Sequence, residues 1–340
     1  MEKSDSNKIA NLGVIGALMV VLIHVPKSAV GAATVFYKIM PDGFLGTAVM
    51  MFFAISGFLL AGHLDEKGWW LRENQKRWRT LLVPYLILNL FWFGVMLAYH
   101  AIGSSNGGLS EYAFSWRGLF AAIGIAPGES GGNPIVGPLW YVRCLLLTVL
   151  TLPVFMPIVR RGRTCAFGLC ALLYAVHIAI SGHGGFAFGS VYRLQGVAYF
   201  LLGIAFRLYG IPKASLKAGL LFLALGLTAS ATMVFGAGVP QRIANWSVKP
   251  LTFVAMWSLA PETPWPKLLT RNSFAIYSLH YFLVHPSWLI CGHLGIHNQV
   301  FGNPLVYLMF PVVTFASIIL FAETLRRHLP RVATIVLGGR

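Results

Sequence analysis

The chain is short of acid. Only 10 of its 340 residues are Asp or Glu, against 26 Lys and Arg, and charged residues make up just 11%. A soluble domain of this length could not solvate its surface with so few charges. The same scarcity argues against a carboxylate-rich metal site, and no HExxH spacing is present to hold zinc. There is no GxSxG elbow, no P-loop and no dinucleotide fingerprint, so the common hydrolase, nucleotide-hydrolysing and nicotinamide-binding frameworks are without a foothold. The four cysteines (Cys144, Cys165, Cys170 and Cys291) lie in or beside apolar stretches without a CxxC pair and read as small packing residues. Internal repeats and heptads are missing as well.

Apolar residues fill the space that charge leaves, at 57% of the chain. Ten apolar segments are long enough to cross a bilayer of about 30 Å. They run roughly over 8–26, 44–62, 80–101, 138–159, 164–182, 190–209, 214–235, 246–261, 272–292 and 303–324. The expected fold class is therefore all-α: a polytopic membrane protein of about ten transmembrane helices, forming a single domain over residues 1–340. The weakest of the ten is 246–261, which contains Lys249 and Pro250. The first has the layout of a signal sequence, with Lys3 and Lys8 before Leu12–Val25 and the small residues Val30-Gly31-Ala32-Ala33 after it. Nine further spans need no export signal, and it is read as a retained span.

A formal charge of +16 would suggest nucleic acid if it formed a patch on a soluble domain. Here the basic residues fall in short runs between apolar segments, which sets topology instead. With the N-terminus inside, the outer side holds Lys27, Lys38, Arg117, Arg143, Arg193, Arg242 and Lys249, and the other Lys and Arg lie inside. Both termini are thus expected in the cytoplasm. The longest outer connection, Gly103–Gly137, is rich in Gly, Ser and Asn and carries Glu111 and Glu129. Loops of that length are usually functional or disordered.

A few side chains stand out against this background. His24 lies near the outer end of the first span, and an ionisable group there is a functional hypothesis by default. Imidazole can take a proton from a hydroxyl near neutral pH; an interfacial histidine bonded to a neighbouring carbonyl is the equal alternative. Arg72, Lys76, Arg77 and Arg79 suit either ordinary positive-inside charge or the phosphates of an anionic ligand. Trp140 and Tyr141 read as aromatic-belt residues. Arg143 and Arg193 either snorkel to the outer surface or orient a saccharide or an anion. In Phe52–Leu59, small residues allow close helix approach and Ser56 can hydrogen-bond across the gap. His280 falls near mid-membrane with His285 further out, both buried or lining a cavity. No spacing supports His24, His280 and His285 as metal ligands, and no metal is expected.

Taken in order, these segments resemble the acyltransferase family 3 integral membrane proteins. Met51–Tyr85 resembles the family's second helix, cytoplasmic loop and third helix, with Phe52–Leu59 similar to its FFxISGFL signature. His24 matches the histidine of the family's first helix; the arginine that precedes it there is Gly13 here, so any contact from that side chain is missing. Gly137–Arg143 is similar to the LWYxR segment, Gly196–Gly203 to the sixth-span region and Ser273–His280 to the SxxIYxxH segment. The resemblance implies a membrane O-acyltransferase that moves an acyl group, most often acetyl, from cytoplasmic acyl-CoA to a hydroxyl of a cell-surface carbohydrate or glycolipid. It assigns His24 as general base, Arg72, Lys76, Arg77 and Arg79 to the donor, and Trp140, Arg143 and Arg193 to the acceptor. Ser56, Tyr277 and His280 would support them. Acyl-CoA would serve as cosubstrate with no permanently bound cofactor, and membrane lipids and the glycan acceptor would be the partners, not nucleic acid. The implied location is the inner (cytoplasmic) membrane. A transporter or flippase of a polar lipid-linked substrate is the alternative.

Overall fold

The computed structural model describes residues 3–25, 39–101, 115–125, 133–181, 192–211 and 215–339. Among them every regular element is helical. Val30–Ala33, Lys27, Lys38, Glu111, Glu129 and most of the Gly103–Gly137 connection lie outside the described residues. The packing divides the chain into two compact units, Met1–Ile55 with Gly210–Thr324 and Ser56–Tyr209 with Leu325–Arg340.

Among the described residues, six helical segments are long and apolar enough to cross a membrane: Lys3–His24, Trp69–Ala98, Gly137–Val159, Arg163–Ile180, Leu216–Phe235 and Pro304–His328. Two shorter apolar ones, Thr47–His63 and Leu194–Tyr209, coincide with the expected 44–62 and 190–209. The remaining two expected spans take other forms. Residues 246–261 fall in a helix over Gly238–Leu259 whose first half carries Gln241, Arg242 and Asn245. Residues 272–292 form Ser273–Leu279 and Tyr281–His293, joined through His280, whose own backbone stays helical (φ −57°, ψ −32°). Large apolar side chains stay exposed along the long helices, among them Leu220 and Leu221, Val312 and Val313, and Leu320 and Phe321. Such faces suit hydrocarbon as their solvent, where an intact helix satisfies its own backbone.

In the first unit, α1 (Lys3–His24) is anchored at its buried Asn11, whose amide donates to the Pro261 carbonyl at 2.9 Å and the Thr263 carbonyl at 2.8 Å. Its other end is held by Tyr307, whose hydroxyl donates to the Leu22 carbonyl at 3.3 Å. A short π-helical turn (Met40–Phe44) leads into α2 (Thr47–Leu60). Ser230, fully buried on a helix over Leu216–Phe235, receives the Phe44 N–H at 3.2 Å and donates to the Ile39 carbonyl, fixing that turn.

The second unit corrects one expectation. The basic segment after α2 is not a loop: α3 (Trp69–Arg77) runs through a π-helical turn (Trp78–Leu82) directly into α4 (Val83–Ala101). Trp70 docks α3 by donating to the Val149 carbonyl at 3.1 Å on α5 (Trp140–Val159). Arg160, just past the end of α5, donates to the Leu64 carbonyl at 2.7 Å. At Gly57 the backbones of α2 and of α6 (Leu194–Tyr209) touch: a Cβ there would overlap the Phe200 carbonyl. This is the close approach that small residues make possible between membrane helices.

Candidate active site

In the first unit, His24 closes α1 and its Nδ1 donates to the Val20 carbonyl at 2.8 Å. A carbonyl can only accept, so the neutral ring carries its proton on Nδ1 and its lone pair on Nε2. The sequence left a choice between a working base and a histidine bonded to a nearby carbonyl. The geometry shows the carbonyl bond, and that bond fixes the tautomer that leaves Nε2 as the acceptor. His280 lies beside it, with ring centroids 5.0 Å apart and planes tilted by 53°. His280 is completely buried, and its Nδ1 faces the Tyr277 carbonyl at 2.7 Å and the Ile276 carbonyl at 3.3 Å. Its Nε2 has no partner among the described residues. A buried acceptor left in that state costs about 1–3 kcal/mol. Tyr277 is buried and meets the Phe52 ring edge-on at 5.3 Å, and His285 stacks on Tyr281. Gly13, where the family has arginine, faces Ser273 across ordinary van der Waals space, with Oγ 3.5 Å from an added Cβ. Arg271, next to Asn272 on the same segment, is paired with Glu323.

In the second unit, α2, α3 and the turn after it line a half-open cavity of about 260 Å³. Ser56, Leu59, Leu60 and Leu81 line its apolar part, and His63, Glu73, Lys76 and Arg77 line its polar part. The four expected donor residues separate here because the segment is helical. Residues three or four apart share a helix face, so Glu73, Lys76 and Arg77 look into the cavity together. Arg72 and Arg79 are exposed and do not line it. Arg72 instead donates to Glu66 at 3.1 Å and to the Lys67 carbonyl. The His63 imidazole, bonded to Glu66 at 2.8 Å, holds the Glu66 carboxyl below its usual range, with Arg72 adding a smaller pull. Glu73 was not anticipated. It is 7% exposed and pairs with Arg77 at 3.5 Å and Lys76 at 3.9 Å. Its spacing from the two cations, in a chain with so few acids, was the signal available in the sequence.

Ser56 connects the cavity to the remaining candidates of this unit. Its hydroxyl lies 3.0 Å from that of Tyr141, which is buried rather than set in an aromatic belt. Two residues on, Arg143 is buried as well and donates to the Gly124 carbonyl instead of snorkelling outward. Only glycine fits at that partner: Gly124 has φ +67°, and a Cβ would lie 2.8 Å from the Pro134 nitrogen and closer still to the Arg143 guanidinium. Arg193 lies over the Trp140 ring, 3.9 Å from its centroid, and donates to the Asn133 side-chain oxygen at 3.4 Å. A stacked guanidinium of this kind contributes about 0.5–2 kcal/mol. Trp140, Arg143 and Arg193 thus converge, as do His24, Tyr277 and His280 in the first unit.

Apolar helices of membrane-spanning length, with buried arginine, histidine and hydroxyl groups between them, define a polytopic membrane protein with a polar interior. An acyltransferase domain model, that of acyltransferase family 3, matches residues 11–323, nearly the whole chain. The chain belongs to acyltransferase family 3 and is a membrane acyltransferase. Neither curated proteins nor solved structures gave a significant match.

Proposed function

We propose that the protein transfers an acyl group, acetyl in the simplest case, from cytoplasmic acyl-CoA to a hydroxyl of a cell-surface carbohydrate or glycolipid. The observation that carries this reading is the cavity of the second unit. Two cations stand at its polar part, Leu59, Leu60 and Leu81 line the rest, and Ser56 joins it to Tyr141. Phosphates would be held by Lys76 and by the Arg77 fork, where charge-assisted bonds are strongest. At about 260 Å³ the volume lies just below the usual range for ligand pockets, which suits a narrow pantetheine arm better than a whole nucleotide. Trp140, Arg143 and Arg193 would orient the acceptor, and His24 would take the hydroxyl proton as the oxygen attacks the thioester carbonyl. Acyl-CoA is a cosubstrate in this scheme. The location is the inner membrane, with ten crossings and both termini in the cytoplasm.

The donor half is tested by changing Lys76 and Arg77 together to Ala and measuring acetyl-CoA binding to folded, purified protein. Affinity should fall about 10-fold or more, the equivalent of one charge-assisted hydrogen bond. Arg77→Lys should retain part of it, since charge survives but the fork does not. Because Glu73 loses its counter-charge in the Ala variant, the thermal midpoint is recorded alongside. Parent-like binding would reduce these residues to a topological role. The membrane arrangement is tested separately with reporter fusions. Those after Arg77, Arg163 and Arg340 should report the cytoplasm, and those near Ser105 and Gly184 the outside. A cytoplasmic signal at Gly184 would break the ten-span arrangement.

A further inference from the structure

We propose that His280 is a positioning residue for His24: its Nε2 lone pair receives the N–H that His24 acquires when it takes the proton of the acceptor hydroxyl. This rests on the reading of His24 as the base. Three observations within the first unit support it. His280 joins Ser273–Leu279 to Tyr281–His293 with a helical backbone (φ −57°, ψ −32°), its N–H on the Ile276 carbonyl and its own carbonyl receiving the Val284 N–H, so its ring is set by helices on both sides. Its Nδ1 hydrogen is committed to the Tyr277 and Ile276 carbonyls, which leaves Nε2 as the acceptor. That nitrogen is buried and unpartnered among the described residues, with the His24 ring centroid 5.0 Å from its own. Two imidazole rings with centroids 5.0 Å apart have nitrogens within hydrogen-bond reach when those nitrogens face one another.

The proton inventory is simple. The acceptor O–H breaks and its proton goes to His24 Nε2. The oxygen forms a bond to the acyl carbonyl carbon and the carbon–sulfur bond breaks. The departing thiolate recovers the proton from His24 and leaves as the thiol. His280 gains and loses no proton; it accepts a hydrogen bond while His24 is charged and stops the ring from turning away. The Phe52 ring against Tyr277, and Tyr277 beside His280, hold this neighbourhood rigid. Misplacing a reacting group by about 1 Å can cost roughly 10²-fold in rate.

Two substitutions separate this role from packing. His280→Phe keeps the ring volume without a lone pair, and His280→Gln offers an acceptor near the position of Nε2. With membranes given isotope-labelled acetyl-CoA and label read in the cell's own glycan and glycolipid fractions, His280→Phe should lower kcat about 10²-fold at unchanged KM for acetyl-CoA. His280→Gln should recover most of that loss. Parent-like kcat in His280→Phe overturns the proposal, as does equal loss in both variants with a lowered thermal midpoint. Parent-like transfer by His24→Gln overturns it too, by removing the base. A second readout does not need turnover: the full-length protein, labelled with ¹⁵N-histidine in lipid nanodiscs. Acidification should produce a through-bond N–H···N correlation between His24 and His280 that vanishes in His24→Gln. If the parent transfers no acetyl group, the proposed function falls and this correlation alone decides: its presence supports the pairing and its absence overturns it.

Discussion

Replacing His24 by Gln should lower acyl transfer by about 10²–10⁴-fold, the range of a general base, while acetyl-CoA binding and folded yield stay near those of the parent. Gln keeps hydrogen-bonding capacity and can still donate to the Val20 carbonyl that His24 meets at 2.8 Å, so the end of α1 has no reason to unravel. What Gln lacks is a nitrogen that takes a proton near neutral pH. His24→Ala should lose as much activity and also give up the bond to Val20, so a lower folded yield in Ala alone separates the anchoring role from the chemical one. The measurement is acyl transfer by purified, folded protein with a matched acceptor. Parent-level transfer by the Gln variant removes His24 as the base. Gly13 offers a comparison on the same helix: its added Cβ meets only Ser273 at ordinary contact distance, so Gly13→Ala should leave transfer unchanged.

Gly57→Ala should be among the most damaging substitutions away from the proposed chemistry. A methyl there overlaps the Phe200 carbonyl and lies 2.9 Å from the Phe200 carbonyl carbon and 3.3 Å from the Ile204 nitrogen. All three are backbone atoms inside α6, so no side chain can turn aside to make room. Either the two helices separate, which abandons the packing that joins membrane helices, or the overlap persists at about 1–3 kcal/mol or more. Gly94 on α4 is the control, because nothing lies within 4 Å of its added Cβ. Gly94→Ala should be neutral or stabilising by up to about 1 kcal/mol. Thermal midpoints in detergent decide: equal midpoints for the two variants would mean that α2 and α6 have slack at this contact.

The helical, membrane-bound character was legible because apolar runs with few charges leave a chain no other solvent. What was not legible depended on the phase of side chains around a helix and on local turns within apolar runs. Lys76, Arg77, Arg79 and Arg72 were read as one basic group because charge was summed along the segment. Helical phase instead gives Lys76 and Arg77 to the cavity and leaves Arg72 and Arg79 outside it. Glu73 was overlooked for the same reason: acids entered the reading as a scarcity, not as a partner three and four residues before two cations. The turn residue His280 lies inside Ser278–Val284, where hydropathy is nearly continuous, so no composition window could mark it. Tyr141 and Arg143 carry the amphipathic chemistry of interfacial residues, and only burial distinguishes an interior hydroxyl and guanidinium from a belt.

The merging of the basic segment with α4 has a mechanical consequence. At about 1.5 Å per residue, the 30 residues of Trp69–Ala98 make a rod of roughly 45 Å, well over the roughly 30 Å of hydrocarbon it would cross. The surplus is the end that bears Glu73, Lys76 and Arg77. A rod seated in lipid can absorb such a surplus by tilting or by standing clear of the hydrocarbon. On the proposed arrangement, the height of the cavity above the acyl chains would then depend on bilayer thickness as well as on the protein. A thicker membrane would draw Lys76 and Arg77 down among the lipid phosphates, which compete for the same cations; a thinner one would lift them into water, where an anionic ligand meets them without that competition.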